Sequence, residues 1–476
     1  MAKKIWFGEC IMSLKKGAMY VFIANIINLI ISLFTGFVLP KYLSIETYSS
    51  IKLFQLYITY IGILHLGFSD GMYLKYGGKN VAEIDKQEVL SEFKTFKIFQ
   101  LLVSVIAICV SIIIENEILL LCAIVIIPIN VANYVRSLYQ ATGEFKKYSR
   151  FTNLNTFLIF FMNVVLLLII KSDNSSEYII SYIIAYVLYW LMLERETTKI
   201  FGKIKVKADK QYLINDVKSG FFLMIGNFCN VIFTSIDRLF VQNLLGAIKF
   251  AFYSFAVSIE NLMNVFVTPV STVMYNYFCN NRKVEEVKKI KKVVFIFSTV
   301  VIAVVFPAKF IIDIWLNKYA ESLTVLFILF AAQYISITVR CIHINLYKAE
   351  KKQNRYFRVM LFVVILSIVL NVILYNIHKS MEMFAIATLI TNVAWFLIGE
   401  VDFKRYCLGI SEYIYAFVIM ILFIFCGQIP NAILGCAIYV CSSIVFMLIF
   451  MNSTFRYCLK EIFNYIKKFA RVEQSN

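Results

Sequence analysis

The sequence predicts an all-α integral membrane protein, and three observations predict it. Of the 476 residues, 61% are hydrophobic and only 16% are charged, with a mean hydropathy of +0.77. A water-soluble domain has no interior large enough to hide that much apolar side chain. Apolar runs close to the roughly 20 residues needed to cross a hydrocarbon core of about 30 Å recur along the whole chain. Stretches of the first half also return in the second, about two hundred residues later. The expected architecture has about fourteen transmembrane helices: two six-helix lobes related by an internal parallel repeat, plus two extra C-terminal helices. Residues 1–205 form the N-lobe (helices 1–6), 206–405 the C-lobe (helices 7–12) and 406–452 helices 13 and 14, with a basic amphipathic tail at 453–476.

The spans fall near 17–39, 48–69, 98–114, 118–140, 151–170, 178–193 and 217–241 in the first part of the chain. They continue at 250–278, 293–312, 322–346, 359–376, 382–400, 411–427 and 431–451. With the N-terminus inside, thirty-eight of the 47 Lys and Arg fall in segments on one side. The other side receives Lys41, Lys171, Lys249, Lys309, Lys318 and Lys379, and Lys52, Arg238 and Arg340 lie within spans. This bias places both termini in the cytoplasm. The net charge of +18 therefore needs no nucleic acid, and cytoplasmic Lys attracts anionic lipid headgroups. The eleven Cys are scattered through apolar runs without paired spacing, which argues against a disulfide framework or a metal cluster. The run from 17 to 39 is too long for a cleaved signal peptide, and no small-residue cleavage site follows it.

Residues 3–16 alternate Lys3, Lys4, Lys15 and Lys16 with Trp6, Phe7, Ile11 and Leu14, as a helix at the membrane interface does. In the first span Asn25 and Asn28 share one helical face. The connection at 70–97 mixes Lys75, Lys79 and Lys86 with Glu83, Asp85 and Glu88, and reads as a solvated connector. After the fourth span comes Leu138-Tyr139-Gln140-Ala141, then Tyr148 and Arg150. Leu346-Tyr347-Lys348-Ala349, Tyr356 and Arg358 repeat that text 208 residues on, and Asn163-Val164 meets Asn371-Val372 at the same distance. Asn25 and Asn28 meet Asn227 and Asn230 at 202. Several coincidences near one spacing indicate a duplication. Six spans per half make the repeat parallel, and in such transporters substrate sites lie between the halves near the midplane. In the tail from Phe455, Leu459, Ile462, Phe463 and Ile466 share a face beside Lys460, Lys467 and Lys468, which suits the inner leaflet.

Charged residues inside spans are the candidate site, because each costs about 2.5–3.5 kcal/mol at a helix centre on insertion scales. Asp237-Arg238 stands within the run from 217 to 241, with Lys52 also in the outer third. Glu260 lies nearer the middle, and Arg340 and His343 lie toward the inner end. Cations spread along the depth suit an anionic headgroup crossing the membrane, and the Arg fork matches phosphate oxygens. Arg238, Lys52 and Arg340 are accordingly the expected substrate-binding cations, against harmless snorkelling for Lys52 and internal packing for the Arg residues. Asn25, Asn28, Asn227 and Asn230 are candidates for bonding sugar hydroxyls, although Asn also glues helices together. Glu260 and Asp237 are the candidates for ion or proton coupling, Glu260 first. His65 and His343 read as packing residues. No nucleophile–base pair, phosphate-cradling loop or metal-ligand spacing stands out, so no catalytic residue, metal or cofactor is expected.

Ile236-Asp237-Arg238-Leu239, Leu245-Gly246 and Tyr253-Ser254-Phe255-Ala256 together resemble the seventh-to-eighth helix signature of bacterial polysaccharide exporters. These are the lipid-linked oligosaccharide flippases of the multidrug/oligosaccharidyl-lipid/polysaccharide superfamily. Ala251 departs from the Gly common in that family two residues before the Tyr. The resemblance implies two six-helix lobes alternating between inward- and outward-open states in the bacterial inner membrane. The implied cargo is an undecaprenyl-diphosphate-linked oligosaccharide repeat unit, flipped to the periplasmic leaflet for O-antigen or capsule assembly. Membrane lipids, a polysaccharide polymerase and chain-length machinery are the implied partners. A peptidoglycan-precursor flippase also needs a basic cavity, whereas a multidrug cation exporter prefers an acidic one. A polysaccharide polymerase or lipid-linked glycosyltransferase needs a large outer loop with catalytic groups, and every outer loop here is short.

Overall fold

The computed structural model describes residues 28–461 apart from 78, 80, 203 and 281, and every regular element among the described residues is helical. Asn25, the stretch at 3–16 and the tail beyond 461 lie outside them. Among the described residues ten helices are long and apolar enough to cross a membrane, or up to twelve if each of two bent pairs is one span, with a shorter apolar helix at Asn28–Tyr42 besides. This is the multi-pass all-α architecture expected from the sequence. The chain divides into two compact units, Met1–Ser235 and Ile236–Asn476. That division falls inside the apolar run at 217–241.

Unit 1 contains α1 (Asn28–Tyr42), α2 (Ile45–Ile61), α3 (Phe68–Tyr76), α4 (Lys86–Ile113), α5 (Glu117–Ile124), α6 (Ile126–Ala141), α7 (Phe145–Val164), α8 (Ser175–Phe201) and α9 (Lys210–Phe233). Polar caps start many of these helices, as Ser44, Asp85, Asn116, Asn174 and Asp209 each accept a backbone N–H of the first turn. Such caps satisfy donors that have no partner inside the helix. Two apolar clusters hold the unit, one around Phe68, Phe96 and Tyr134 and one around Phe54, Tyr178 and Tyr182.

The second span does not run straight into a solvated connector. It breaks at Leu66 and Gly67, both at positive φ, and restarts at a 62° bend as α3. Gly67-Phe68-Ser69-Asp70-Gly71 presents two small residues one turn apart, and α3 packs along α9 there. A Cβ on Gly71 would collide with the Asp216 backbone, and one on Gly220 with the backbone of Gly67 and Gly71. In a bilayer, close backbone approach of this kind replaces the hydrophobic drive between helices. The charges of the connector are largely folded in as well. Lys75 bonds Glu88 at 2.7 Å and also Glu92, while Tyr76 Oη donates to the buried Glu92 at 2.8 Å. Paired this way, the carboxylate avoids the cost of an isolated buried charge.

Unit 2 contains α10 (Ile236–Glu260), α11 (Asn264–Asn280), α12 (Val284–Ile302), α13 (Val305–Trp315), α14 (Ser322–Thr338), α15 (Ile344–Ala349), α16 (Gln353–Ile377), α17 (Met381–Asp402), α18 (Ile410–Gly427) and α19 (Ala432–Phe450). The span made by α14 and α15 is its axis, with 89% of the apolar window buried, against 22% for α19. It packs on α10, α12, α17 and α18. A helix apolar on all sides suits that central place. At one end Lys291, His343 and Tyr413 surround the Glu400 carboxylate, with His343 Nε2 at 2.9 Å and Tyr413 Oη at 2.5 Å. His343 is thus held in a buried ionic knot beside Gly399. Lys309 Nζ donates to the carbonyls of Gly427 at 2.8 Å and Ile429 at 2.5 Å, a cation on the C-terminus of α18.

The repeated text folds alike in both units. The N–H of Glu144 bonds the carbonyl of Tyr139 at 2.9 Å, and that of Lys352 bonds Tyr347 at 2.8 Å. Thr142 bonds Leu138 and Glu350 bonds Leu346 in the same register. Gly143 and Lys351 take the left-handed position, at φ 73° and 55°. Both helices therefore end in the same left-handed cap, 208 residues apart.

Candidate functional site

The seventh and eighth spans differ from the expected ranges, and the difference moves the charges. Helix α9 ends at Phe233, Thr234 and Ser235 form a turn, and α10 starts at Ile236. Asp237 and Arg238 therefore stand in the first turn of a new helix, not in the outer third of one span running from 217 to 241. A carboxylate is favoured there because the first backbone N–H groups lack partners. Asp237 Oδ1 accepts the Arg238 N–H at 2.8 Å, and Tyr253 Oη donates to Oδ2 at 2.6 Å. The tight turn that lets Tyr253 reach back is at Gly246, with φ 83° and ψ −179°, a conformation open essentially to glycine alone. Asp237 is buried and both its oxygens are engaged.

Arg238 sits half-buried one step along, and its buried Nε has no partner. One turn further, Gln242 carries a buried, unpartnered Oε1. Glu260 closes α10 and accepts Gln333 Nε2 of α14 at 2.6 Å, leaving Gln333 Oε1 buried without a donor. Asp237, Arg238 and Arg340 all lie within electrostatic reach of Glu260. Arg340 donates to Asn264 Oδ1 at 2.8 Å. It projects from a π-helical segment, Val339–His343, a local widening that often marks functional positions. The widening frees carbonyls, and Asn345 Nδ2 takes those of Arg340 at 3.1 Å and Cys341 at 3.0 Å, with Ser271 Oγ also on Arg340. Within unit 2, then, Arg238, Glu260 and Arg340 are half-buried charges within electrostatic reach of one another through Glu260, with unpartnered donor and acceptor atoms beside them.

The remaining candidates fall in unit 1 and do not form one group. Asn28 Nδ2 donates to Asn153 Oδ1 at 3.4 Å. Asn227 Nδ2 donates to Asp70 Oδ1 at 3.2 Å, and Asn230 is exposed. Lys52 lies 5.3 Å from the centre of the Tyr48 ring and lines a cavity of mixed polar and apolar wall. Asp70, Gln333 and Asn345 were not singled out from sequence. Asp70 carried a signal in the small-residue spacing of Gly67 and Gly71. Gln333 and Asn345 carried none beyond being polar in an apolar run. No group of three or more His, Cys, Asp or Glu that could hold a metal occurs among the described residues.

No protein-family model matches the chain, and no curated protein sequence matches it. Solved structures do. The lipid II flippase MurJ in an inward closed conformation is similar over 92% of this chain and 99% of its own, with 14% identity and a TM-score of 0.70. A MATE family multidrug resistance transporter of the MOP superfamily is similar in its inward-facing form, at 12% identity, TM-score 0.55 and 80% and 98% coverage. The corresponding outward-facing form gives 12% identity, TM-score 0.53 and 82% and 96% coverage. The chain thus shares the fold of these solved transporter and flippase structures.

Proposed function

We propose that this protein is a flippase that moves an undecaprenyl-diphosphate-linked oligosaccharide from the cytoplasmic to the periplasmic leaflet of a bacterial inner membrane, for O-antigen or capsule assembly. The observation that carries this reading is the half-buried set of Arg238, Glu260 and Arg340, with the unpartnered Arg238 Nε and Gln333 Oε1 beside it. Arg guanidinium groups in a membrane span are expensive unless something anionic meets them, and a diphosphate is a dense anion that a planar fork binds well. Asp237, held by Tyr253 and its own helix, serves to anchor Arg238. Glu260 fixes the charge of the set: ionised, it offsets one Arg, and protonated, it leaves a cation excess for the diphosphate. Anion binding and protonation of Glu260 then favour each other. Alternating access with both termini in the cytoplasm completes the reading, and no catalytic group is assigned.

A second reading, flipping of the peptidoglycan precursor, is favoured by the likeness to MurJ over nearly the whole chain. The two share the diphosphate and differ in the headgroup. Proteoliposomes carrying either a fluorescent diphosphate-linked oligosaccharide or a lipid-linked muropeptide separate them. Protein-dependent flipping of the first, lost in a folded Arg238→Ala variant, supports the oligosaccharide reading. Flipping of the muropeptide alone moves the assignment to the second, and lengthening of the glycan without flipping points to a polymerase.

A further inference from the structure

Arg340 stands near the start of the π-helical turn Val339–His343, and the structure holds that turn open from two sides. Such a turn carries one residue more than an α-helical one and leaves carbonyls without their usual donors. Asn345, buried in α15, supplies donors to them. Its Nδ2 lies 3.1 Å from the Arg340 carbonyl, 3.0 Å from that of Cys341 and 2.9 Å from that of Ser271 on α11. The two hydrogens of one amide thus tie the widened turn both to its own helix and to its neighbour. Ser271 Oγ donates to the Arg340 carbonyl as well, at 3.0 Å. At the far end of the turn His343 is fixed by Glu400 at 2.9 Å, and its ring lies 6.4 Å from that of Phe403 with 11° between the planes.

The repeat supplies a comparison within the molecule. Leu138-Tyr139 and Leu346-Tyr347 are buried alike, and 208 residues before Arg340, His343 and Asn345 stand Ala132, Val135 and Ser137. There α6 runs as an α-helix from Ile126 to Ala141. Guanidinium, imidazole and amide are thus absent together from the copy that lacks the widening. One residue added to a turn rotates what stands at its start by about 100° against an unbroken helix. We propose that Asn345 is a positioning residue: by holding the turn open it aims Arg340 at Asn264, to which Arg340 donates at 2.8 Å. The inference rests on the reading of Arg340 as a cation for the cargo's diphosphate, and it gives Asn345 a part in binding without contact to the anion.

Two double-mutant cycles on Asn345→Leu and Arg340→Gln test it, on the full chain in nanodiscs. The first reads calorimetric affinity for inorganic pyrophosphate. Each single variant is expected to bind about tenfold more weakly, the step of one charge-assisted hydrogen bond. The double variant is expected to bind no more weakly than Arg340→Gln alone. Losses that multiply to about a hundredfold overturn the proposal, because an amide that only supports the fold acts independently of the side chain at 340. An affinity unchanged by Asn345→Leu overturns it too. A wild type that binds no pyrophosphate, or binds it as well without Arg340, removes the diphosphate reading, and the second cycle then decides. That cycle reads melting temperature with no anion present. Non-additive shifts keep Asn345 as the residue that places Arg340, and additive shifts dismiss it. Asn345→Ser, the residue of the repeated copy, takes the place of Asn345→Leu if that variant does not melt cooperatively.

Discussion

At the scale of single residues, the chemistry turns on geometry that charge alone does not supply. Arg238 offers a planar fork, and its Nε is the atom without a partner, so Arg238→Lys keeps the charge and loses the bidentate match. In the proteoliposome assay Arg238→Lys is expected to fall closer to Arg238→Ala than to the wild type. Full activity of the Lys variant would reduce Arg238 to a point charge. Glu260→Gln fixes that position in its uncharged form while keeping an acceptor for Gln333. Flipping in that variant is expected to continue down its gradient but stop responding to an imposed pH difference. A response unchanged from wild type removes Glu260 from coupling. Asp237 and Arg238 are neighbours in the first turn of α10, yet Asp237 is buried with both oxygens engaged and Arg238 is half-buried with an unpartnered Nε. The hydropathy of 217–241 passes smoothly over the turn at Thr234 and Ser235, so the sequence places both charges in the outer third of one span rather than at the start of a new helix.

At the scale of elements, two features recur as backbone conformation more than as side-chain identity. Gly143 and Lys351 hold the same left-handed cap, and nothing lies within 4 Å of a Cβ added to Gly143. Gly143→Ala therefore costs backbone strain alone, about 1 kcal/mol. Lys351→Gly relieves the same strain against glycine's entropy loss, for a gain of up to about 1 kcal/mol. Thermal melts of the two variants in micelles should shift in opposite directions. The repeat was legible because Leu138-Tyr139 and Leu346-Tyr347 kept both their letters and their burial. The contact of α3 with α9 was hidden because it joins residues about 150 apart, and the charges near Gly71 suggested solvent. Gly71→Ala inserts a Cβ into the Asp216 backbone and is expected to destabilise the protein by about 1–3 kcal/mol, the range for overpacking. A melt unchanged by that substitution would mean the helices part easily there.

At the scale of the whole molecule, the solvent wrote most of what sequence could tell. Ile113, Phe222 and Ile410 are exposed at 79%, 76% and 79%, as residues facing lipid are. A bilayer demands long apolar runs with internally satisfied backbones, and such runs are visible letter by letter. Breaks inside a run are not, since the bend at Leu66, the π-helical segment at Arg340 and the turn at Gly246 leave hydropathy almost unchanged. The same exterior predicts how the purified protein behaves. Its apolar belt needs about 30 Å of cover, so the melting temperature is expected to rise along a series of maltosides from eight to twelve carbons. A flat series would argue against a belt of that height.

The glycine seam between α3 and α9 has one more consequence, for how that part of the molecule can move. Side chains between helices act as an elastic layer, yielding by small rotamer shifts as the helices slide. At Gly67, Gly71 and Gly220 two backbones meet with no such layer. A joint of that kind has no gradual travel: it is seated or it is parted, and a force on α3 is passed to α9 whole. The kinked second span thus ends in a latch rather than a spring.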